Sequence, residues 1–462
     1  MMEFREEKDA FGSMSVRKDC LYGIHTMRAI DNFPKSGLPR YFYLYKALAQ
    51  VKQAAAATNL EFGYLPGDIG EAIIKAAAEM ADGNHFEYFM ADALQGGAGT
   101  SSNMNINEIT ANRAGQILSG EGSTGSVSID PLEHVNLHQS TNDVYPTAVK
   151  IAIYYFLNDL EEAVNELQQS LQEKEGEFSD VVKTGRTELM PAVPTTLGRE
   201  FSAYADAVTR DRWRIFKCRE RIRQVNLGGT AIGTGITAPR RYILKVTQRL
   251  REITGIPLSR AENLHDATQN HDQIAEVFGM IKTLALNLEK CAGDLRYMAS
   301  IGEIELPGVQ AGSSIMPGKF NPVIPEMISS VSKKIMGNEL TASLAISSGE
   351  LELNAFLPIV AQTILESLDL LVQGIKLLNH KCIKGIRCVR EICEKGLLDS
   401  PASTALLLPG IGYSKASAVA KYMAQNKVNL NDAVKDMGIM APEDLERLIT
   451  PENICSLGYQ DE

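Results

Sequence analysis

The chain is expected to be mainly α, built on long helices. Three observations predict this. Five extended runs keep apolar residues at helical spacing. Breakers stand where such helices should begin and end: Pro325 at a start, Ser347-Ser348-Gly349 at a stop. Finally, 462 residues with 44% hydrophobic content exceed one compact core, so two or three domains are expected.

Residues 1–133 read as a mixed, mostly helical domain, with shorter helices at 44–58 and 68–80. Residues 134–394 form the central domain. Its first long run, 142–175, carries Val149, Ile153, Tyr154, Leu157, Leu160, Val164, Leu167 and Leu171 at helical spacing. At 1.5 Å per residue that helix is about 50 Å long. Runs at 196–225, 273–300, 325–348 and 357–386 read similarly. Five such helices are too long to cover a compact monomer, and faces patterned on more than one side must be buried against another copy of the chain. Residues 395–462 form a small helical domain ending in Thr450-Pro451-Glu452-Asn453. The Gly-rich run 228–235 lacks the Gly-Lys-Ser/Thr ending of a phosphate loop, and no clear βαβ unit surrounds it, so it reads as a tight turn between helices.

Composition narrows the function. A net charge of -11 argues against nucleic acid, but a local cationic pocket for a small anion is compatible with it. Residues 1–9 are highly charged and no apolar signal region follows; no apolar run reaches membrane-span length. The seven scattered cysteines fit a reducing cytoplasm. Cys382, Cys388 and Cys393 lack zinc-site spacing.

The most informative stretch is Gly312-Ser313-Ser314-Ile315-Met316-Pro317-Gly318-Lys319-Phe320-Asn321-Pro322. Small residues let backbone N–H groups approach an anion. Lys319 adds a charge and Asn321 two donors. Donors of this kind would stabilise a serine alkoxide and lower its pKa.

This stretch resembles the signature of the aspartase/fumarase superfamily. Further blocks resemble that family in family order: 97–105 with Asn107-Glu108; His134-Val135-Asn136 with Gln139-Ser140-Thr141-Asn142-Asp143; Gly185-Arg186-Thr187 with Pro194 and 196–201; and 228–235. The resemblance runs from about Tyr22 to Asn453. It implies a three-domain fold with a central five-helix bundle. Four copies would pack their bundles into a 20-helix homotetramer core, with each active site drawn from three subunits. It implies a lyase that takes a small dicarboxylate or amino-acid substrate, breaks a C–N or C–O bond beside a carboxylate, and releases fumarate. No organic cofactor is expected; divalent-cation activation is known in the family, but no ligand cluster marks it here.

By the same resemblance Ser313 is the base, and an aci-carboxylate is the intermediate. Ser314, Thr100, Ser140 and Thr141 donate to the activated carboxylate, with Ser101 and Met316 beside the substrate. Lys319 and Asn321 anchor the second carboxylate. Asn142, Thr187 and residue 188 contact the leaving group. Ser140-Thr141-Asn142-Asp143 also reads as a helix N-cap, and a helix N-terminus itself attracts anions, so both readings stand. His134 and His138 read as structural. The chain departs from the family at Glu188, where His or Gln is usual, and at Met190-Pro191, where Gln-Asp is common. An ionised Glu188 favours an ammonium leaving group and disfavours a neighbouring carboxylate. His25 and Thr141 have the form of the ammonia-lyase branch rather than the hydratase branch. The expected activity is ammonia elimination from L-aspartate. A different amine substrate, fumarate hydration, and a silent structural homologue are the alternatives.

Overall fold

In a computed structural model describing residues 3–120 and 128–459, the fold is mainly helical, as expected. The five long helices are Thr141–Glu177, Leu197–Arg221, Asp272–Ser300, Val323–Ser347 and Leu357–Lys381. Of the residues patterned in the first of them, Val149, Ile153, Leu157, Leu160, Val164, Leu167 and Leu171 are buried, while Tyr154 is half-buried. Two helices stop short of the expected ends. One gives way to the strand Gln224–Val225, the other to a 3₁₀ turn at Ile383–Gly385. Pro146 lies inside the first long helix and has no N–H for the carbonyl of Asn142. Asn226 fills that role by donating its Nδ2 to Asn142 O at 2.9 Å.

The chain divides into two compact units, and each long helix contributes residues to both. The first unit comprises Met1–Glu161, Arg214–Lys282 and Lys334–Val372. Here Phe42–Glu61 packs on Gly67–Ala81 and on Arg240–Thr254. Small residues line this core, among them Ala56, Ala72, Ala76, Ala111 and Ala114, so helix axes approach closely. Residues 228–235 form a turn, as expected, but it follows the strand Gln224–Val225, which pairs in parallel with Ser259–Arg260 around the helix Arg240–Thr254. A two-residue pair leaves no periodic signal, so the sequence could not show it.

Buried His271 in this unit has no partner for its Nδ1 among the described residues. Burial, assisted by Lys150, lowers its pKa to about 4. A depressed folded pKa gives stability that is full above about pH 6.5 and is lost as pH falls towards 4. Acid titration across that window should cost the natural chain about 3 kcal/mol more than a His271→Phe variant, read by denaturant unfolding at each pH.

The second unit comprises Glu162–Trp213, Thr283–Lys333 and Gln373–Glu462. Its C-terminal helices close on Leu407, Val419, Met423, Leu430, Val434 and Leu445. The Thr450 hydroxyl accepts the N–H of Asn453 and starts the last short helix. An unexpected hairpin, Val182–Thr187 with Met190–Thr196, lies in the same unit. Pro191 and Pro194 on one strand argue against a ladder in sequence, yet both are tolerated at an edge. The turn residues Glu188 and Leu189 have φ of 53° and 66°. A two-residue hairpin turn of this hand is normally Asn-Gly, and no such signal exists here.

Candidate active site

Thr100, Ser101, Ser140, Thr141 and Asn142 lie in the first unit, where two helix N-termini meet. Gly99 starts the helix Thr100–Ser119 at φ 96°, and a Cβ there would lie 2.4 Å from the ring of Tyr145. Only glycine lets the two helix starts come this close. Asn103 Nδ2 then donates to Thr141 Oγ1 at 3.1 Å. Thr100 is exposed and its hydroxyl donates to Gly97 O at 2.7 Å. Ser101 is half-buried.

The N-cap reading of 140–143 holds in detail. Ser140 Oγ accepts the N–H of Asn142 at 3.2 Å, and Asp143 Oδ1 accepts that of Ser140 at 3.0 Å, so side chains satisfy both N–H groups at this helix start. Asp143 Oδ2 also receives the N–H groups of Gly228 and Thr230, each at 3.0 Å. The Gly-rich turn is therefore a cradle for a side chain of the protein itself. Burial pushes Asp143 up to about 6, against those three N–H donors and the charge of Lys52. Asn142 donates its Nδ2 to Ala231 O at 2.8 Å.

The serine loop lies in the second unit. Gly312 N donates to Lys319 O, and Asn321 Nδ2 to Gly312 O, both at 2.8 Å, which pins the ends of the loop together. A Cβ on Gly312 would sit 2.6 Å from Lys319 O. Ser313 Oγ accepts the N–H groups of Ile315 at 3.2 Å and Met316 at 3.0 Å. The loop's main-chain donors thus point at the serine oxygen. Ser313 is half-buried, while Ser314, Met316 and Lys319 are exposed. Among the described residues Lys319 has no ion-pair partner. One hydrogen of the Asn321 amide is committed to the loop and the other is free for a ligand.

Thr187 and Glu188 are exposed at the tip of the hairpin; Glu188 lines a cleft of ≈ 610 Å³ with Lys183, Arg186, Glu200 and Tyr297, and Thr187 does not. Tyr297 donates its hydroxyl to Leu189 O at 3.1 Å, holding the left-handed turn in place. Below it Lys183, almost wholly buried, bonds Glu200 at 2.7 Å and Glu303 at 2.7 Å, and Arg186 bonds Glu303 at 2.7 Å. Burial raises the pKa of Glu200.

His138 Nδ1 meets Asn59 Oδ1 at 2.8 Å, and His134 Nδ1 accepts the N–H of Asp130. Glu326 lies 3.8 Å from Arg296 on the surface. All seven cysteines are free.

Sequence reasoning missed the polar cluster behind Thr141. Lys52 is 0% exposed and donates to Asn136 Oδ1 at 3.0 Å and Gln139 Oε1 at 2.9 Å. The signal was present: Leu44, Leu48, Lys52 and Ala56 form one i, i+4 stripe, and a cation stands where the stripe calls for an apolar residue.

The family described as Lyase matches residues 12–337, and Fumarase C C-terminus matches residues 404–456. An aspartate ammonia-lyase of Bacillus sp is 40% identical, covering 99% of this chain and 98% of that protein. One from Helicobacter pylori is 40% identical, covering 98% of each. Among solved structures, a fumarate lyase:delta crystallin from Brucella melitensis bound to cobalt superposes with a TM-score of 0.93 at 39% identity, over 98% of this chain and 100% of that one. A class II fumarase from Schistosoma mansoni gives 0.90 at 29% identity, over 98% and 99%.

Proposed function

Because the chain belongs to the aspartase/fumarase superfamily and is a carbon–nitrogen lyase, we propose that it eliminates ammonia from L-aspartate to give fumarate, reversibly, with Ser313 as the base. The observation that carries this reading is the pair of main-chain N–H groups on Ser313 Oγ. A serine hydroxyl is a poor base. Two fixed donors hold its alkoxide at no reorganisation cost.

Ser313 removes the proton from the carbon beside one carboxylate. Charge then develops on that carboxylate as an aci-carboxylate; Ser314, Ser140 and Thr141 donate to it, and Thr100 joins them when its hydroxyl turns away from Gly97 O. Short hydroxyl donors at helix N-termini suit this task, because their bonds strengthen as charge grows. Lys319 and the free hydrogen of Asn321 hold the second carboxylate, with Ser101 and Met316 beside the substrate. Collapse of the aci-carboxylate expels ammonia past Asn142, Thr187 and Glu188.

Glu188, ionised, draws the ammonium of the substrate and disfavours a neutral hydroxyl. Glu188→Gln should therefore lower kcat/KM on L-aspartate about tenfold and change its pH profile. An unchanged rate and profile would remove Glu188 from the mechanism. The alternative of another amine substrate rests on this same residue.

The groups would be gathered by a homotetramer in which each site draws on three copies. Exposed apolar side chains on the long helices support it: Leu286 is 49%, Leu340 60% and Leu344 60% exposed. Light scattering should return four copies, and a monomer at micromolar concentration contradicts the arrangement.

Among the described residues no group of three or more His, Cys, Asp or Glu is placed to hold a metal ion. No helix among them is long and apolar enough to cross a membrane. The free thiols support a cytoplasmic enzyme.

The deciding experiment follows ultraviolet absorbance of the fumarate double bond. Formation from L-aspartate and none from L-malate supports the reading. Formation from L-malate alone makes the protein a hydratase, and silence with both refutes aspartate as substrate.

A further inference from the structure

Outside the roles above, a polar cluster around buried Lys52 is bonded directly to a site residue, Thr141. Lys52 sits mid-helix with no exposure, and its ammonium reaches only amide oxygens, those of Asn136 and Gln139. Asn136 Oδ1 is a convergence point. Besides Lys52 it receives Asn103 Nδ2 at 3.2 Å and Asn107 Nδ2 at 3.1 Å. Asn103 Nδ2 spends its other hydrogen on Thr141 Oγ1 at 3.1 Å. Gln139 is turned into place by its own amide, which donates to Val135 O at 2.9 Å and Leu137 O at 3.2 Å.

The chain of bonds has a direction. Asn136 commits its Nδ2 to Gln139 O at 3.2 Å and so presents its carbonyl oxygen to Lys52, whose ammonium can only donate. With that oxygen fixed, Asn103 must present its NH₂, and Thr141 must accept. Buried Asn103 Oδ1 is left without a partner, as expected if the amide orientation is dictated from elsewhere. A hydroxyl whose oxygen already accepts keeps its hydrogen for another acceptor. Among the described residues no acceptor for the Thr141 hydrogen is present.

We propose that Lys52 is a positioning residue for the elimination: through Asn136 and Asn103 it turns Thr141 into an obligate donor towards the substrate carboxylate. This role rests on the lyase reading above. An apolar residue would fill the same space in the helix stripe without a polar network to satisfy. The cation is therefore explained by what it orders rather than by packing. Burial lowers the pKa of Lys52 to about 7, with Asp143 as the charge opposing that shift. This is a large cost to carry for a merely structural lysine.

The test is a double-mutant cycle on the full chain, Lys52→Met against Thr141→Val, read as kcat and KM for fumarate formation from L-aspartate. Each single variant is expected to lower kcat about 10²-fold with KM moved less than about threefold, since the lost contact strengthens in the transition state. The double variant should fall no more than about threefold below the worse single, because both changes remove one donor. Effects that multiply, or a Lys52→Met protein with natural kcat, overturn the positioning role. If Lys52→Met does not fold, Asn103→Ala takes its place, cutting the last link while leaving both acceptors of Lys52. A natural chain silent on L-aspartate, seen before any variant is made, refutes the lyase reading itself and this role with it.

Discussion

Ser313→Ala is expected to lower turnover on L-aspartate by about 10³-fold or more, the scale of a lost general base. Stability should change by less than about 1 kcal/mol. The hydroxyl is half-buried on an irregular loop, and the N–H groups of Ile315 and Met316 can turn to water when it is gone. The two outcomes separate chemistry from folding. Fumarate formation and the midpoint of denaturant unfolding are measured on the same preparation. KM should move little, because the proposed anchors of the second carboxylate, Lys319 and Asn321, are untouched. Ser313→Thr would be a poor rescue: it keeps the hydroxyl but adds a methyl in a loop closed by two short bonds at Gly312. A Ser313→Ala protein that keeps its turnover would sink the serine-base mechanism.

Lys183→Met should cost about 3–5 kcal/mol in stability, the largest structural effect expected of a single change here. The lysine side chain is 1% exposed and stands between the carboxylates of Glu200 and Glu303. Removing it leaves buried Glu303 and half-buried Glu200 facing each other, with only Arg186 to hold the first of them. Burial already raises the pKa of Glu200, so the variant answers by binding a proton there. A raised folded pKa gives stability that is full at low pH and is lost as pH rises through it. The deficit should therefore be smaller at pH 5 than at pH 8, and Glu200→Gln in the same chain should recover part of it. Activity is expected to fall as well, since this network underlies the strand that ends in Thr187 and Glu188. A loss of under about 1 kcal/mol, flat in pH, would show the ion cluster to be dispensable.

The long helices were legible because their signal is redundant. Seven buried residues between Val149 and Leu171 repeat one spacing, and no single exception can hide it. The hairpin at 182–196 was not legible, because its local signals point the other way. Pro191 and Pro194 deny it a ladder, and Glu188 and Leu189 occupy left-handed backbone without the glycine that usually marks such a turn. It stands because Tyr297 and the Lys183 cluster, distant in sequence, hold it. Local preference was overridden by contacts that sequence neighbours cannot report.

The serine loop shows the same division at finer scale. Its residue types announced an anion-binding device, and the order of small residues placed it in a family. Where its donors aim is a matter of geometry: the N–H groups of Ile315 and Met316 meet Ser313 Oγ, and Asn321 spends half its amide on Gly312. By itself the sequence determined the helical class, the superfamily and the inventory of hydroxyls, amides and cations, because period and residue order are properties of the chain. Only the tertiary structure decided that Gly99 brings two helix starts together, that Asp143 closes the glycine turn, and that Lys52 is linked to Thr141 through Asn136 and Asn103. Those are meetings of residues far apart in sequence, set by packing and by the cost of leaving buried polar groups unpaired.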